Sequence, residues 1–513
     1  MAIKRFFCTA DNTITNAFKY GLINRGTGSN MGASDVLEVF SILGQASTSS
    51  VEKSRAILKF PVADILTKRN SGDIPLSGNV RFFLKAFNAP HSQTLPKNFD
   101  MAILPISKSW DEGPGLDMEG YSDEFASNWV KATQATSWTT QGGDFHEVGY
   151  TAGKNLPHYK QTFTKGVENL SVNVTALVEE WLVAESTTDT DRENYGVMLK
   201  MSGTFEDGSK NRSFYTKKFF SRSSEFFYRR PMIEARWDDS IGDDRNSFYL
   251  SSSLMSGEDN LNTLYLYNVV RGRLKNIPAL GANSGSNSAH TTIHLQVFPS
   301  GNIKNQVIKP KTLPIGGGVT TAGATVVTGG WVSTGIYSAS FAFTGSEKEI
   351  FDVWSKPTSV VQGVQLVTGS NFRVRTHSSA DYNPNTRYVT TITNLKTEYQ
   401  QSDNTRIRLF VREKNWQPNI YTVASNNIES YTIENGYYRI FRIIDDLDII
   451  PFGTGSGQQT DYTKLSYDKN GNYFDLDFSN LESGYSYAIQ FMYETDGKNT
   501  VQVVDVQLLG FHR

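Results

Sequence analysis

Four carboxylates crowd one short stretch of this 513-residue chain: Asp238, Asp239, Asp243 and Asp244. Carboxylate oxygens are hard ligands, so the stretch is a candidate calcium site, and calcium is the one cofactor the sequence offers. A solvated acidic linker is the competing reading. Trp110-Asp111-Glu112-Gly113 places carboxylates beside an indole. Aromatic faces flanked by acids suit sugars, which makes Trp110, Glu112 and Trp138 candidate glycan contacts, with core or loop anchoring as the alternative. Cleavage of a glycosidic bond needs two carboxylates facing each other across it. Asp111 and Glu112 are adjacent and would point to opposite faces of a strand, so they make a poor catalytic pair. Phe226-Phe227-Tyr228-Arg229-Arg230 and the alternation Arg271, Arg273, Lys275 join rings to positive charge. Aromatics and Arg are enriched in protein interfaces, so Phe226, Phe227, Tyr228, Arg271 and Arg273 are candidate contacts with partner proteins. Similar surfaces stack single-stranded nucleic acid. A formal charge of −2, from 50 basic and 52 acidic residues, and the lack of a dense basic patch argue against that.

The remaining motifs are weaker. His290 and His294 would share a face of a helix, but Thr291 to Val297 alternates as a strand. There the two rings stand about 13 Å apart, too far for one ion. Asp468-x-Asn470-x-Asn472 echoes the start of a calcium loop. Its glycine is fourth rather than sixth, and Ser479 stands where the twelfth position needs Glu. Gly316-Gly317-Gly318 lacks the Lys and the following helix of a phosphate loop. Gly-x-Ser-x-Gly and His-Glu-x-x-His do not occur. No catalytic residue is assigned, and the chain reads as non-enzymatic.

Composition narrows the scaffold that must position these residues. The single cysteine, Cys8, excludes an intrachain disulfide and a multi-cysteine metal site. Only Phe6-Phe7 stands where a signal peptide needs ~7–15 apolar residues, and no apolar run approaches the ~18 of a membrane span. The expectation is a protein folded in a reducing cytoplasm, with no membrane partner. Aromatics make up 12% of the chain, which favours packed β-structure over disorder.

Period-2 alternation dominates. Ala56–Phe60, Val80–Leu84 and Arg406–Arg412 read as strands, with Ile407, Leu409 and Val411 facing a core. Lys469-Asn470-Gly471 reads as a hairpin turn of the type I′ class. Two helices are expected. Thr175 to Leu182 groups Leu177, Val178, Trp181 and Leu182 on one face, with Thr175 as cap. Ser346-Glu347-Lys348-Glu349 matches a capping box ahead of Ile350, Val353 and Trp354, while Phe351-Asp352-Val353 alternates just as well for a strand. Composition breaks fall at Asp238–Asn262, at Gly281–Ser288 and near Val367–Asn371. The predicted architecture is therefore all-β with very little helix: about three antiparallel β-sandwiches in tandem, over residues 1–240, 241–369 and 370–513.

A resemblance adds detail. Asn30-x-Gly32-x-Ser34, Arg55–Phe60, Trp110–Gly113, Trp129, Trp138–Phe145, Val172–Thr175, Trp181, Asn194–Lys200 and Arg230–Glu234 occur in an order that resembles the DNRLRE domain family. That likeness covers roughly Arg5 to Trp237. It implies an antiparallel jelly-roll module of the kind found in bacterial surface and phage proteins, some with carbohydrate-binding associations. Asp244–Asn262, Tyr265–Leu274 and Tyr467–Leu481 are similar to virion structural proteins of marine T4-like tailed phages. This implies a non-enzymatic structural component, of the neck or collar, the tail or the head, assembled in the bacterial host cytoplasm. Its expected partners are other virion proteins and further copies of itself. The alternative is a carbohydrate-binding host-adhesion or head-decoration protein, with a host-surface glycan as partner. The middle segment is compatible with an immunoglobulin-like sandwich and the last with another antiparallel sandwich.

Overall fold

β-Branched and aromatic residues at alternating positions build strands, because every second side chain can then enter a core while its neighbours face out. The computed structural model describes residues 2–122, 125–146, 149–187, 189, 191–280, 292–300, 326–357, 365–377, 386–396, 398–414, 420, 430–455, 460–495, 498–502 and 510–511. They form an all-β protein of mostly antiparallel sheets, with one short parallel pair, and two α-helices. The chain divides into two compact units. One holds Ala2–Asp238 together with Gly453–Tyr462; the other holds Asp239–Phe452 and Thr463–Arg513.

In the first unit the strands are β1 (Ile3–Phe7), β2 (Ala10–Thr15), β3 (Val36–Leu43), β4 (Val51–Lys59), β5 (Val80–Ala86), β6 (Phe99–Pro105), β7 (Tyr159–Phe163), β8 (Leu170–Asn173), β9 (Val197–Met201), β10 (Phe214–Phe220) and β11 (Met232–Trp237). They make a four-stranded sheet in the order β1-β11-β5-β8 and a seven-stranded one in the order β10-β3-β4-β9-β6-β7, with β2 also on β4. Ala56–Lys59 of the first expected strand belongs to β4, and Val80–Leu84 to β5.

Helix α1 (Val62–Asn70) was not legible as one. It begins after Pro61, which suits a first turn, and buries only Val62 and Ile65. Helix α2 (Thr175–Thr187) buries the expected Leu177, Val178, Trp181 and Leu182. Its cap differs from expectation. Asn173 Oδ1 accepts the Thr175 amide, while the Thr175 hydroxyl accepts the Phe82 amide of β5. Arg69 and Glu179 clamp α1 to α2 through two bonds of 2.7 and 2.6 Å.

The four-stranded sheet carries a buried ionic centre. Glu234, fully enclosed on β11, contacts Arg5 at 2.9 Å, Lys85 at 3.4 Å and Arg236 at 2.6 Å. Arg236 also lies over the rings of Phe83 and Tyr462, at 4.4 and 4.7 Å. Burial works against the Glu234 carboxylate, but the three cations prevail and hold its pKa far below the usual range.

In the second unit the strands are β12 (Asn262–Tyr267), β13 (Val269–Val270), β14 (Arg273–Leu274), β15 (Thr292–Pro299), β16 (Val327–Ser333), β17 (Ile336–Phe341), β18 (Glu349–Ser355), β19 (Gln365–Thr368), β20 (Phe372–Arg373), β21 (Tyr388–Ile392), β22 (Glu398–Tyr399), β23 (Asn404–Glu413), β24 (Gly436–Arg442), β25 (Leu447–Ile450), β26 (Ser466–Asp468), β27 (Gly471–Asp477), β28 (Tyr487–Thr495), β29 (Lys498–Gln502) and β30 (Gly510–Phe511). β12, β17, β16, β15, β18 and β19 form one sheet, with β20 also on β18. Phe372 thus closes the same core as Phe248, Leu264 and Trp354, past the border expected at residue 369. Sheets β21-β23-β27-β26 and β25-β24-β28-β29 meet through rings: Tyr438 of β24 stacks on Phe474 of β27 at 4.2 Å.

Two local expectations need correcting. Ser346–Glu349 does not start a helix; the strand alternative holds, because Glu349–Ser355 is strand β18 and pairs with both β15 and β19. The turn between β26 and β27 is centred on Lys469-Asn470, since Asp468 pairs with Gly471. The positive φ of 97° falls on the glycine after the turn.

Glu234→Gln would remove the buried carboxylate that Arg5, Lys85 and Arg236 share. The expected loss is about 3–5 kcal/mol, read as lost hydrogen-exchange protection in β1, β5 and β11. A depressed carboxyl pKa stabilises above the unfolded value of about 4.3 and loses that contribution as pH falls. Wild-type protection in these strands should therefore drop on acidification below about pH 4, and the variant should lack that drop.

Candidate functional site

The glycan candidates lie inside the first unit. Trp110 and Trp138 are buried with Trp129, Ile14, Ile57, Ile106 and Met198. Each indole N–H is engaged: Trp110 donates to the Tyr195 carbonyl and Trp138 to the Asn128 carbonyl, both at 2.8 Å. Glu112 accepts the Asp11 amide at 2.8 Å and a bidentate Arg222 pair at 2.9 and 2.7 Å. Trp110 and Trp138 are buried anchors that offer no ring face to a sugar, against the glycan expectation for them; Glu112 is partly exposed and held by Arg222.

The surrounding motif has a structural reason. Asn30 Nδ2 donates to the carbonyls of Glu112 and Ser127, and its Oδ1 accepts the amides of Gly32 and Gly115. A side chain at Gly32 would meet the Glu112 carbonyl at 2.3 Å, and one at Gly115 the Asn30 carbonyl at 2.0 Å. Asn30-x-Gly32 and Trp110–Gly113 are the two halves of one clamp.

The four aspartates do not form the expected calcium site. Asp238 and Asp239 are exposed. Asp243 is buried and pairs with Arg245, which also reaches Asp352 at 2.7 Å. Asp244 accepts the Thr263 amide and the Tyr467 hydroxyl. Burial pushes Asp243 up to about 6 and Asp244 up to about 7. Among the described residues, no three His, Cys, Asp or Glu side chains gather as a metal site. Asp468 is held by a bidentate Arg408 pair, and Asn472 bonds both main-chain groups of Ile433. His294 lies on β15, while His290, Gly281–Ser288 and Gly316–Gly318 fall outside the described residues.

The interface candidates separate. Tyr228 is buried, which corrects its assignment to a surface. Phe227 packs on Phe7 at 4.7 Å. Phe226 remains 45% exposed, with Arg229 stacked on it. Arg271 and Arg273 lie on the two-strand hairpin β13–β14, whose turn residues Arg271 and Gly272 both have positive φ, 52° and 75°. This is a type I′ turn. Val269, Val270 and Leu274 of the hairpin are exposed, as are Trp331 and Val332 of β16. Asn276 joins the two groups, accepting the Trp331 indole N–H at 3.1 Å and the Gly335 amide at 2.8 Å. An exposed apolar end flanked by arginines results.

One feature escaped the sequence reading. A polar cleft of about 280 Å³ in the second unit is lined by Asn246, Ser247, Tyr249, Arg375, Tyr388, Ser430–Asn435 and Glu494. Its residues come from five separated segments, so no local motif announces it.

No protein-family model matches the chain, and no curated protein matches it.

Asp11 Oδ2 accepts the Arg222 amide, while Oδ1 is buried without a partner. Burial, aided by Glu112, raises the Asp11 pKa to about 7. The unfolded value is about 3.9, so the protonated carboxyl favours the fold at low pH. That contribution is lost as pH rises through about 7. Asp11→Asn, which keeps an acceptor for the Arg222 amide, should flatten the fall in the urea midpoint between about pH 4 and pH 7. An unchanged pH profile would place the ionised form in the fold.

Proposed function

We propose that this chain is a non-enzymatic building block that assembles through symmetric protein–protein contacts, as a structural component of a tailed-phage virion in the neck, collar or tail region. The observation that carries the assembly reading is the β13–β14 hairpin with the adjoining end of β16. It presents Val269, Val270, Leu274, Trp331 and Val332 to solvent beside Arg271 and Arg273. Apolar groups, Trp and Arg together are the composition of interface centres. A hairpin that turns sharply and projects its own apolar residues has little to contribute to its own core.

Several acids that could have served chemistry support the same reading, because they hold the framework. Glu112, Glu206, Glu234, Asp243 and Asp352 are all engaged by arginines. The virion assignment rests on the resemblances of Arg5–Trp237, Asp244–Leu274 and Tyr467–Leu481. On this reading the partners are other virion proteins and copies of the chain, the place of assembly is the bacterial host cytoplasm, and neither nucleic acid nor membrane is a partner. No helix among the described residues is long and apolar enough to cross a membrane. A second reading, a carbohydrate-binding adhesion or decoration protein, is favoured by the tyrosine-lined cleft of the second unit.

Sedimentation of the purified chain should show concentration-dependent oligomers, and Val270→Asp with Leu274→Asp should shift them to monomer. Immunogold labelling of purified particles should fall at one repeated position. A chain that stays monomeric and is missing from particle mass spectra would overturn the proposal.

A further inference from the structure

The cleft of the second unit carries more than a shape. Its walls are built by parts of the sheet system that are held independently. Tyr249 and Arg375 form a bridge in which the Arg375 amide donates to the Phe248 carbonyl at 2.8 Å and the Leu250 amide to the Arg375 carbonyl at 2.9 Å. Asn246 Nδ2 donates to the Ser430 carbonyl at 2.9 Å and to the Thr432 hydroxyl at 2.7 Å. The Glu494 amide donates to the Asn435 carbonyl at 2.9 Å. The backbone that frames the opening is therefore bonded on three sides.

The rings along it are fixed too. Tyr388 packs edge-on against Tyr493 at 5.8 Å and lies at 5.2 Å from Tyr431, whose own ring is 47% exposed. Tyr249 stacks in parallel on His377 at 4.6 Å. Rigid rings supply contact area with little ordering entropy on binding.

The polar groups in the walls are of opposite kinds. Glu434 and Glu494 are exposed, and neither forms an ion pair among the described residues. A carboxylate accepts only, and a guanidinium such as that of Arg375 donates only. The Ser247 hydroxyl, which does both, is buried without a hydrogen-bond partner among the described residues. A buried hydroxyl in that state marks a place where a bonding partner belongs.

Charge separates the ligand classes. A cation would welcome the two glutamates but meet Arg375, and an anion would meet the glutamates. An apolar ligand would find one aliphatic side chain, Ile433, among mostly polar neighbours. A neutral molecule that carries many donors and acceptors on an apolar-faced ring satisfies all of them. We propose that this cleft binds a short, uncharged saccharide, with a ring face on Tyr431 and hydroxyls on Glu494, Glu434, Arg375 and Ser247. The volume, just under the ~300 Å³ at which small-molecule pockets begin, limits the enclosed part to a short stretch of a chain. The site is independent of the hairpin surface, so it stands whether or not the chain assembles.

The test uses the full chain and a panel of methyl glycosides and short oligomers of glucose, galactose, mannose and N-acetylglucosamine. Titration calorimetry should find saturable binding for at least one. Tyr431→Ala and Glu494→Gln should each weaken it about tenfold or more, the scale of one lost charge-assisted hydrogen bond or its equivalent. Both side chains are exposed, so the fold should persist, and circular dichroism checks this. Leu254→Ala, 95% exposed at another position, should leave affinity unchanged. No saturable binding across the panel, or binding that survives both substitutions, overturns the proposal. So does binding of oligolysine that is lost in Glu494→Gln, because it would identify a cation site. New reducing ends that disappear in Glu434→Gln would uphold the saccharide site and overturn the non-enzymatic reading instead.

Discussion

One carboxylate fixes the four-stranded sheet of the first unit. Glu234 is buried and in contact with Arg5, Lys85 and Arg236. Charges removed from water are tolerated only when each has a partner in good geometry. Arg5 stands opposite Glu234 across the β1–β11 ladder, and Lys85 comes from β5 on the other side. A slip of one residue in either ladder would turn a cation to the opposite face and strand a charge. Hydrophobic pattern alone permits neighbouring registers; this cluster does not.

The same device recurs. Glu206 takes Arg55 through two bonds of 2.7 and 2.9 Å and Lys200 at 2.7 Å. Arg245 is held between Asp243 and Asp352, and Trp354 donates its indole N–H to Asp352 as well. Arg442 joins Asp445 and Glu482. Several buried or half-buried acids are thus tied to cations, some of them far away in sequence. The second unit exposes, among other groups, an apolar, arginine-flanked hairpin end and a cleft with two exposed glutamates.

The all-β class was legible because its signal is local. Arg406–Arg412 alternates whatever its neighbours do. Helix α2 was legible for the same reason, through Leu177, Val178, Trp181 and Leu182. Where local rules conflicted, tertiary pairing won. Ser346–Glu349 satisfies a capping box, but the residues after it are claimed by strands on both sides. Helix α1 shows only Val62 and Ile65 as buried positions, too few to announce a period. The fate of Trp110 and Trp138 was not legible, since an indole that stacks on sugar and one that anchors a core look alike in sequence. Glu112 and Arg222 are 110 positions apart. The cleft was out of reach altogether, because Tyr249, Arg375, Tyr388, Tyr431 and Glu494 meet only after the second unit has folded.

The return of residues 453–462 to the first unit has a consequence for synthesis. Residues 2–238 leave the ribosome first, yet Tyr462, whose ring lies against Arg236, arrives more than two hundred positions later. At ~5–20 residues per second, that gap lasts on the order of ten to forty seconds. For that interval the nascent unit holds Arg236 without its second ring, and the chain in between must begin folding while its predecessor is incomplete. Birth order and structural order therefore disagree in this molecule. The first unit is the earliest to be made, but it is finished only when the second is almost entirely in hand.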